Sequence, residues 1–110
     1  MGAGTAGDFG NTKYSNKNAK NSITESSRVG SALKQDSYNN FPNIIDNYAK
    51  YAKTFSIKGR DNIVRTLYQI KGSLNGKAGI FEWILDKGKN IVTHRRFIPN
   101  GKITGIPNMK

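Results

Sequence analysis

The chain has one histidine, His94, followed by Arg95-Arg96-Phe97, and an isolated acidic residue, Glu82, set between Phe81 and Trp83. With Arg96 and Lys71, these residue types meet the needs of in-line cleavage of RNA by its own 2′-hydroxyl. A base takes the 2′ proton, an acid protonates the departing 5′ oxygen, and cations hold the pentacoordinate phosphate. In that scheme Glu82 is the base, His94 the acid, and Arg96 and Lys71 the charge clamp. Arg96 is the better anchor, because a planar guanidinium grips two phosphate oxygens where Lys acts as a point charge. Gln69, Thr93, Arg95 and Arg60 are the candidate substrate-binding side chains, and no cofactor or metal is required. The plain alternatives stay open: His94 as a hydrogen-bonded strand residue, and Glu82 as the acidic half of a cross-strand ion pair with Lys71 or Arg96.

This chemistry needs neighbouring strands in a particular register. Residues rich in β-branched and aromatic types run from Ile63 to Ser73, Lys77 to Leu85 and Asn90 to Pro99, with a further short strand over Lys102 to Ile106, which together predict an antiparallel meander. Asn75-Gly76 is a two-residue hairpin signal, because both central positions of a type I′ turn need positive φ. It sets Leu74 opposite Lys77, Lys71 opposite Ile80, Gln69 opposite Glu82 and Tyr68 opposite Trp83. A five-residue second loop, Asp86 to Asn90, sets Leu85 opposite Ile91, Glu82 opposite His94 and Ile84 opposite Val92. A two-residue Lys87-Gly88 turn would instead exchange the faces of the third strand. The five-residue loop gathers Tyr68, Ile70, Phe81, Trp83, Leu85, Ile91 and Phe97 on one face as a core. Gln69, Lys71, Glu82, His94 and Arg96 share the other face with Ile80, Ile84, Val92 and Ile98. Arg95 is the misfit, falling on the core face.

A cover for that core is at hand. Ile44, Ile45, Tyr48, Tyr51, Ala52 and Phe55 recur at spacings of three and four, predicting an α-helix within Phe41 to Phe55, with Asn43 as N-cap and Asp46 in the first turn. The fold class is therefore α+β: one or more N-terminal helices on a twisted antiparallel sheet of three to five strands. Residues 1–35, rich in Gly, Ser and Asn, read as a flexible lead-in, and residues 36–110 as the functional domain.

Charge and composition narrow the partners. Eighteen Lys and Arg face seven Asp and Glu among 110 residues, a net charge of +11, and fourteen of the basic residues lie at Lys34 or beyond. Such a surplus attracts polyanions, nucleic acid first among them. The absence of cysteine excludes disulfides, thiolate zinc sites and cysteine nucleophiles, and a single histidine excludes histidine pairs. No run is long enough to span a membrane, and no P-loop, Gly-x-Ser-x-Gly or zinc-deaminase pattern occurs. A non-catalytic basic module that binds nucleic acid is the competing function, and a metal-dependent DNase is poorly served by so few clustered ligands.

The segments Phe81-Glu82-Trp83-Ile84 and Thr93-His94-Arg95-Arg96-Phe97, with residues 41–49, 67–76 and 101–107, resemble the C-terminal toxin modules of bacterial polymorphic toxins of the contact-dependent inhibition, Rhs and LXG types. The resemblance spans roughly residues 36–107. Many such modules are ribonucleases of the barnase, EndoU, colicin E5 and RelE group, with helices on an antiparallel sheet whose open face cuts RNA. The resemblance implies an antibacterial ribonuclease with His94, Glu82, Arg96 and Lys71 at its site. The lone histidine departs from the two-histidine EndoU pattern and favours a barnase-like acid and base pair. It further implies an acidic immunity protein, delivery as part of a larger secreted or cell-surface protein, and action in the cytoplasm of the target cell.

Overall fold

A computed structural model describes residues 21–35 and 38–109. A mixed five-stranded sheet dominates it, in the order β1-β5-β4-β3-β2, with strands β1 (Ser27–Arg28), β2 (Lys53–Lys58), β3 (Val64–Leu74), β4 (Lys77–Asp86) and β5 (Ile91–Pro99). Two 3-10 helices complete it, η1 (Gly30–Leu33) and η2 (Asn43–Tyr51). The class is α+β and mostly sheet. Among the described residues no helix is long and apolar enough to cross a membrane.

The β3–β4 hairpin forms as its turn dictates. Asn75 (φ 52°) and Gly76 (φ 82°) both take the left-handed conformation, and Lys71 faces Ile80, Gln69 faces Glu82 and Tyr68 faces Trp83. The second connection differs from the five-residue loop. Asp86 pairs with Ile91 and Leu85 with Val92, so the loop has one residue fewer, and a bulge beside Ile84 and Leu85 then restores the parity. Beyond the bulge Ile84 faces His94, Trp83 faces Arg95, Glu82 faces Arg96 and Phe81 faces Phe97. The faces of residues 94–98 are therefore those expected, although Glu82 lies opposite Arg96 rather than His94. Val92, not Ile91, joins the core. Gly79 admits β5 at its closest: a Cβ there would stand 2.1 Å from the carbonyl oxygen of Ile98.

The helical expectation is shortened and tightened. η2 stops at Tyr51, and Phe55, read as its last apolar position, lies instead in β2, whose Phe55 and Ile57 alternate with Thr54, Ser56 and Lys58 at the period of a strand. Asn43 is its first residue rather than its cap, and no side chain caps it. Asn, Ile and Tyr are weak helix formers, and they close a tight 3-10 ribbon whose Ile45 and Ala49 point into the core. Residues 101–106 form no strand; they run as an irregular segment along the far face of the sheet.

The boundary at residue 35 also shifts. Residues 1–20 lie outside the described residues, but 21–35 belong to the fold. Ile23 and Ala32 are buried, β1 pairs in parallel with β5, and η1 seats on β5. The core between η2 and the sheet is aromatic. Phe41 meets Phe81 (4.9 Å between ring centres) and Trp83 (5.9 Å) edge-on, and Phe81 meets Phe97 at 4.8 Å. Contacts of this kind contribute about 0.5–1.5 kcal/mol each beyond burial. Arg95 is buried in the same layer, its guanidinium 3.6 Å from the centre of the Phe41 ring and its Nε donating to Asp46 Oδ1 at 3.0 Å.

Candidate functional site

The alternation of β4 and β5 sends Glu82, His94 and Arg96 to the face opposite the aromatic core. His94 is diagonal to Glu82, close enough that His94 Nε2 lies 2.7 Å from Glu82 Oε2. Glu82 has no solvent exposure, and the rest of its carboxylate is taken up by protein. Oε1 accepts from Gln69 Nε2 (2.9 Å), and Oε2 also accepts from the backbone N–H of Asn108 (2.8 Å). A buried carboxylate with three donors is satisfied rather than reactive. It fixes the imidazole through Nε2, which leaves Nδ1 as the ring nitrogen turned away from the carboxylate.

Nδ1 faces Ser31 Oγ at 3.1 Å, and the same hydroxyl reaches the Thr93 carbonyl, also at 3.1 Å. Ser31 comes to this position because Val29 N–H donates to Val92 O. Gly30 (φ 60°) then turns the chain at the β5 edge, so that η1 begins beside Thr93 and His94. Ser31, Lys34, Asn39, His94, Arg96, Ile98 and Asn108 line a cavity of about 350 Å³ open to solvent. A second depression, with Tyr38, Pro99 and Asn100, adjoins it across Arg96 and Ile98. Arg96 is half-buried between the two, its Nη1 directed at Asn39 Oδ1 (3.5 Å). The site is thus an imidazole backed by a carboxylate, at the side of a cationic groove.

Not every expected residue is in that groove. His94 and Arg96 line it. Glu82 is behind it, in contact with the imidazole and sealed from solvent, so the direct role of base on substrate does not fit its position. Neither expected ion pair is what holds it: His94, Gln69 and Asn108 supply its partners. Lys71 is exposed opposite Ile80 and Arg60 is exposed in the β2–β3 connection; neither lines the cavity. Gln69, fully buried, is a strut: its Oε1 accepts from the N–H groups of Thr104 and Gly105 at 3.0 Å, tying residues 104–108 over Glu82.

Thr93 stands at the bulge and lines a separate apolar depression with Ile84, Ile106 and Pro107. Arg95 as a substrate ligand is a correction, since it is fully buried on the opposite face. Its Nη1 and Nη2 donate to the carbonyls of Asn39 (3.2 Å) and Pro42 (3.1 Å). Burial pushes the Arg95 guanidinium down to about 10 and Asp46 opposes that shift, so it stays charged at neutral pH.

Sequence reading missed Ser31, Lys34, Asn39 and Asn108. The first two lay within a stretch too polar to read as folded, and Asn108 contributes a backbone N–H, which no residue type announces. Gly30-Ser31 is the one signal available, a turn residue followed by a hydroxyl. Among the described residues no three His, Asp or Glu side chains converge as a metal site. Comparison with known proteins finds no matching family model, no matching curated protein and no matching solved structure.

Proposed function

We propose that this chain is a metal-independent endoribonuclease, a toxin module of interbacterial competition. It would cleave RNA by 2′-hydroxyl attack to leave a 2′,3′-cyclic phosphate. The observation that carries the reading is the carboxylate-backed imidazole beside Arg96 and Lys34 in an open groove, on a chain of net charge +11. A ribose-phosphate unit in that groove presents its phosphate to two cations, and its 2′-hydroxyl reaches His94 Nδ1 by taking the place that the Ser31 hydroxyl holds at 3.1 Å on this buried ring.

His94 Nδ1 takes the 2′ proton as the P–O2′ bond forms, and returns a proton to O5′ as the P–O5′ bond breaks. Arg96 and Lys34 carry the charge of the pentacoordinate phosphate. Glu82 turns from base to positioning residue, holding the ring in its tautomer. Tyr38 at the far end of the groove gives a neighbouring base an aromatic surface. An acidic immunity protein covering Arg96 and Lys34 would neutralise the module, with association speeded by charge. Carriage within a larger secreted protein and action in a target cytoplasm belong to the same reading.

The test is incubation of the purified chain with total RNA in EDTA. The expected products end in 2′,3′-cyclic phosphate and 5′-hydroxyl, and His94→Ala cuts the rate by at least about a hundredfold. Retention of RNA without cleavage would leave a binding module, and full activity in the folded variant would move the site elsewhere.

A further inference from the structure

Under the ribonuclease reading the nucleophile comes from the substrate, yet the structure already sets a hydroxyl of its own against the working nitrogen. Ser31 Oγ, His94 Nδ1, His94 Nε2 and Glu82 Oε2 form one continuous chain, with contacts of 3.1 Å and 2.7 Å on either side of the ring. A hydroxyl, an imidazole and a carboxylate thus stand in the order that activates a serine, with the ring turned the opposite way from the familiar triad: Nδ1 meets the hydroxyl and Nε2 the carboxylate.

Its proton positions are limited. Glu82 accepts from Nε2–H, so the Ser31 proton has two destinations: the Thr93 carbonyl when Nδ1 is protonated, and Nδ1 itself when the ring is neutral. In the second state the oxygen is turned into a nucleophile beside Arg96 and Lys34, which line the same cavity. Ser31 is half-buried and reachable from the groove, and Glu82 and Gln69 fix the ring from behind.

We infer that Ser31 is a catalytic nucleophile, activated by His94 and Glu82, and that the site also attacks phosphorus esters that have no neighbouring hydroxyl, 2′-deoxy linkages included. In the first step the Oγ–P bond forms and the bond from phosphorus to the leaving oxygen breaks. The Oγ proton passes to Nδ1 and from there to the leaving alcohol. In the second, water attacks phosphorus, its proton passes through Nδ1 to Oγ, and the serine is released, leaving a phosphate monoester where RNA self-cleavage leaves a cyclic one. The inference shares His94 with the ribonuclease reading but does not need a 2′-hydroxyl, so the two can fail separately.

The test treats the full folded chain with diisopropyl fluorophosphate. Fluoride leaves as the Oγ–P bond forms, and the adduct is mapped by peptide mass spectrometry. The expected result is a single adduct on Ser31, none in Ser31→Ala, and labelling slowed by at least about a hundredfold in His94→Ala. No adduct on the folded wild-type chain, or an adduct on another residue, overturns the inference; because this is read on the wild type, it stands even if a variant fails to fold. RNA cleavage is assayed on the same sample. Cleavage to cyclic ends without labelling removes only the serine, and labelling without RNA cleavage removes only the ribonuclease.

Discussion

The two faces of the sheet use one device to different ends. On the core face Asp46 is buried and receives Trp83 Nε1 (2.9 Å) and Arg95 Nε (3.0 Å), with Arg28 closing the pair from the edge. On the other face Glu82 is buried and receives His94, Gln69 and the Asn108 N–H. Each is a carboxylate satisfied by three donors in a dry setting. The difference lies one group further out. The remaining guanidinium nitrogens of Arg95 end on backbone carbonyls, so that network is closed. The second nitrogen of His94 ends on a hydroxyl at an open cavity. One buried carboxylate thus anchors a network that ends inside the protein, and the other anchors a network that ends at a cavity wall.

The sharpest way to break that contrast is a matched pair of isosteric changes. Asp46→Asn should cost about 3–5 kcal/mol, because it leaves the Arg95 charge buried without its counter-ion. That is a large share of the roughly 5–15 kcal/mol that holds such a domain. Urea melts should record it, while cleavage per folded molecule stays near wild type.

Glu82→Gln should do the reverse. An amide offers one acceptor oxygen where the carboxylate offers two, which loosens the imidazole, so the rate should fall on the order of tenfold or more. The loss of stability should be smaller, about 1–3 kcal/mol for an imperfectly satisfied buried group. Equal losses of stability in the two variants, with unchanged cleavage in Glu82→Gln, would dissolve the distinction between the faces.

A third carboxylate marks the lower bound. Asp61 is exposed, and the Arg65 hydrogen bonds hold its carboxyl down to about 2. A depressed carboxylate contributes stability above its ordinary value near 3.8, and loses it as pH falls through 2. A carboxyl-carbon NMR titration should show that low midpoint, while Asp61→Asn shifts the melting temperature hardly at all.

What was legible in the sequence follows the same division. The β3–β4 register was readable because Asn75-Gly76 admits few turn geometries, and with it the placement of Gln69 beside Glu82. The β4–β5 register was not, because a shorter loop and a bulge are two departures of one residue whose effects on parity cancel. They leave the faces of His94 and Arg96 as expected while moving the partner of Glu82. The alternation of β5 marks Arg95 as a misfit on the core face but does not name its counter-ion, because Asp46 in the sequence is equally a first-turn acid of a helix. Phe55 fits the helical spacing as well as the alternation of β2, since one apolar residue can satisfy a period of 3.6 and of 2 alike. The polar groups that complete the site, Ser31, Asn39 and Asn108, come from irregular segments, where periodicity carries no information.

The imidazole is gripped from segments far apart along the chain, Ser31 on one side and, through Glu82, Asn108 on the other. Closing such long loops is slow compared with forming a hairpin. A refolding molecule would therefore acquire its β3–β4 hairpin first and the contacts around His94 last. Protection of the amide of Asn108 against hydrogen exchange would lag behind recovery of the sheet, because that contact closes only when residues 104–108 settle over Glu82.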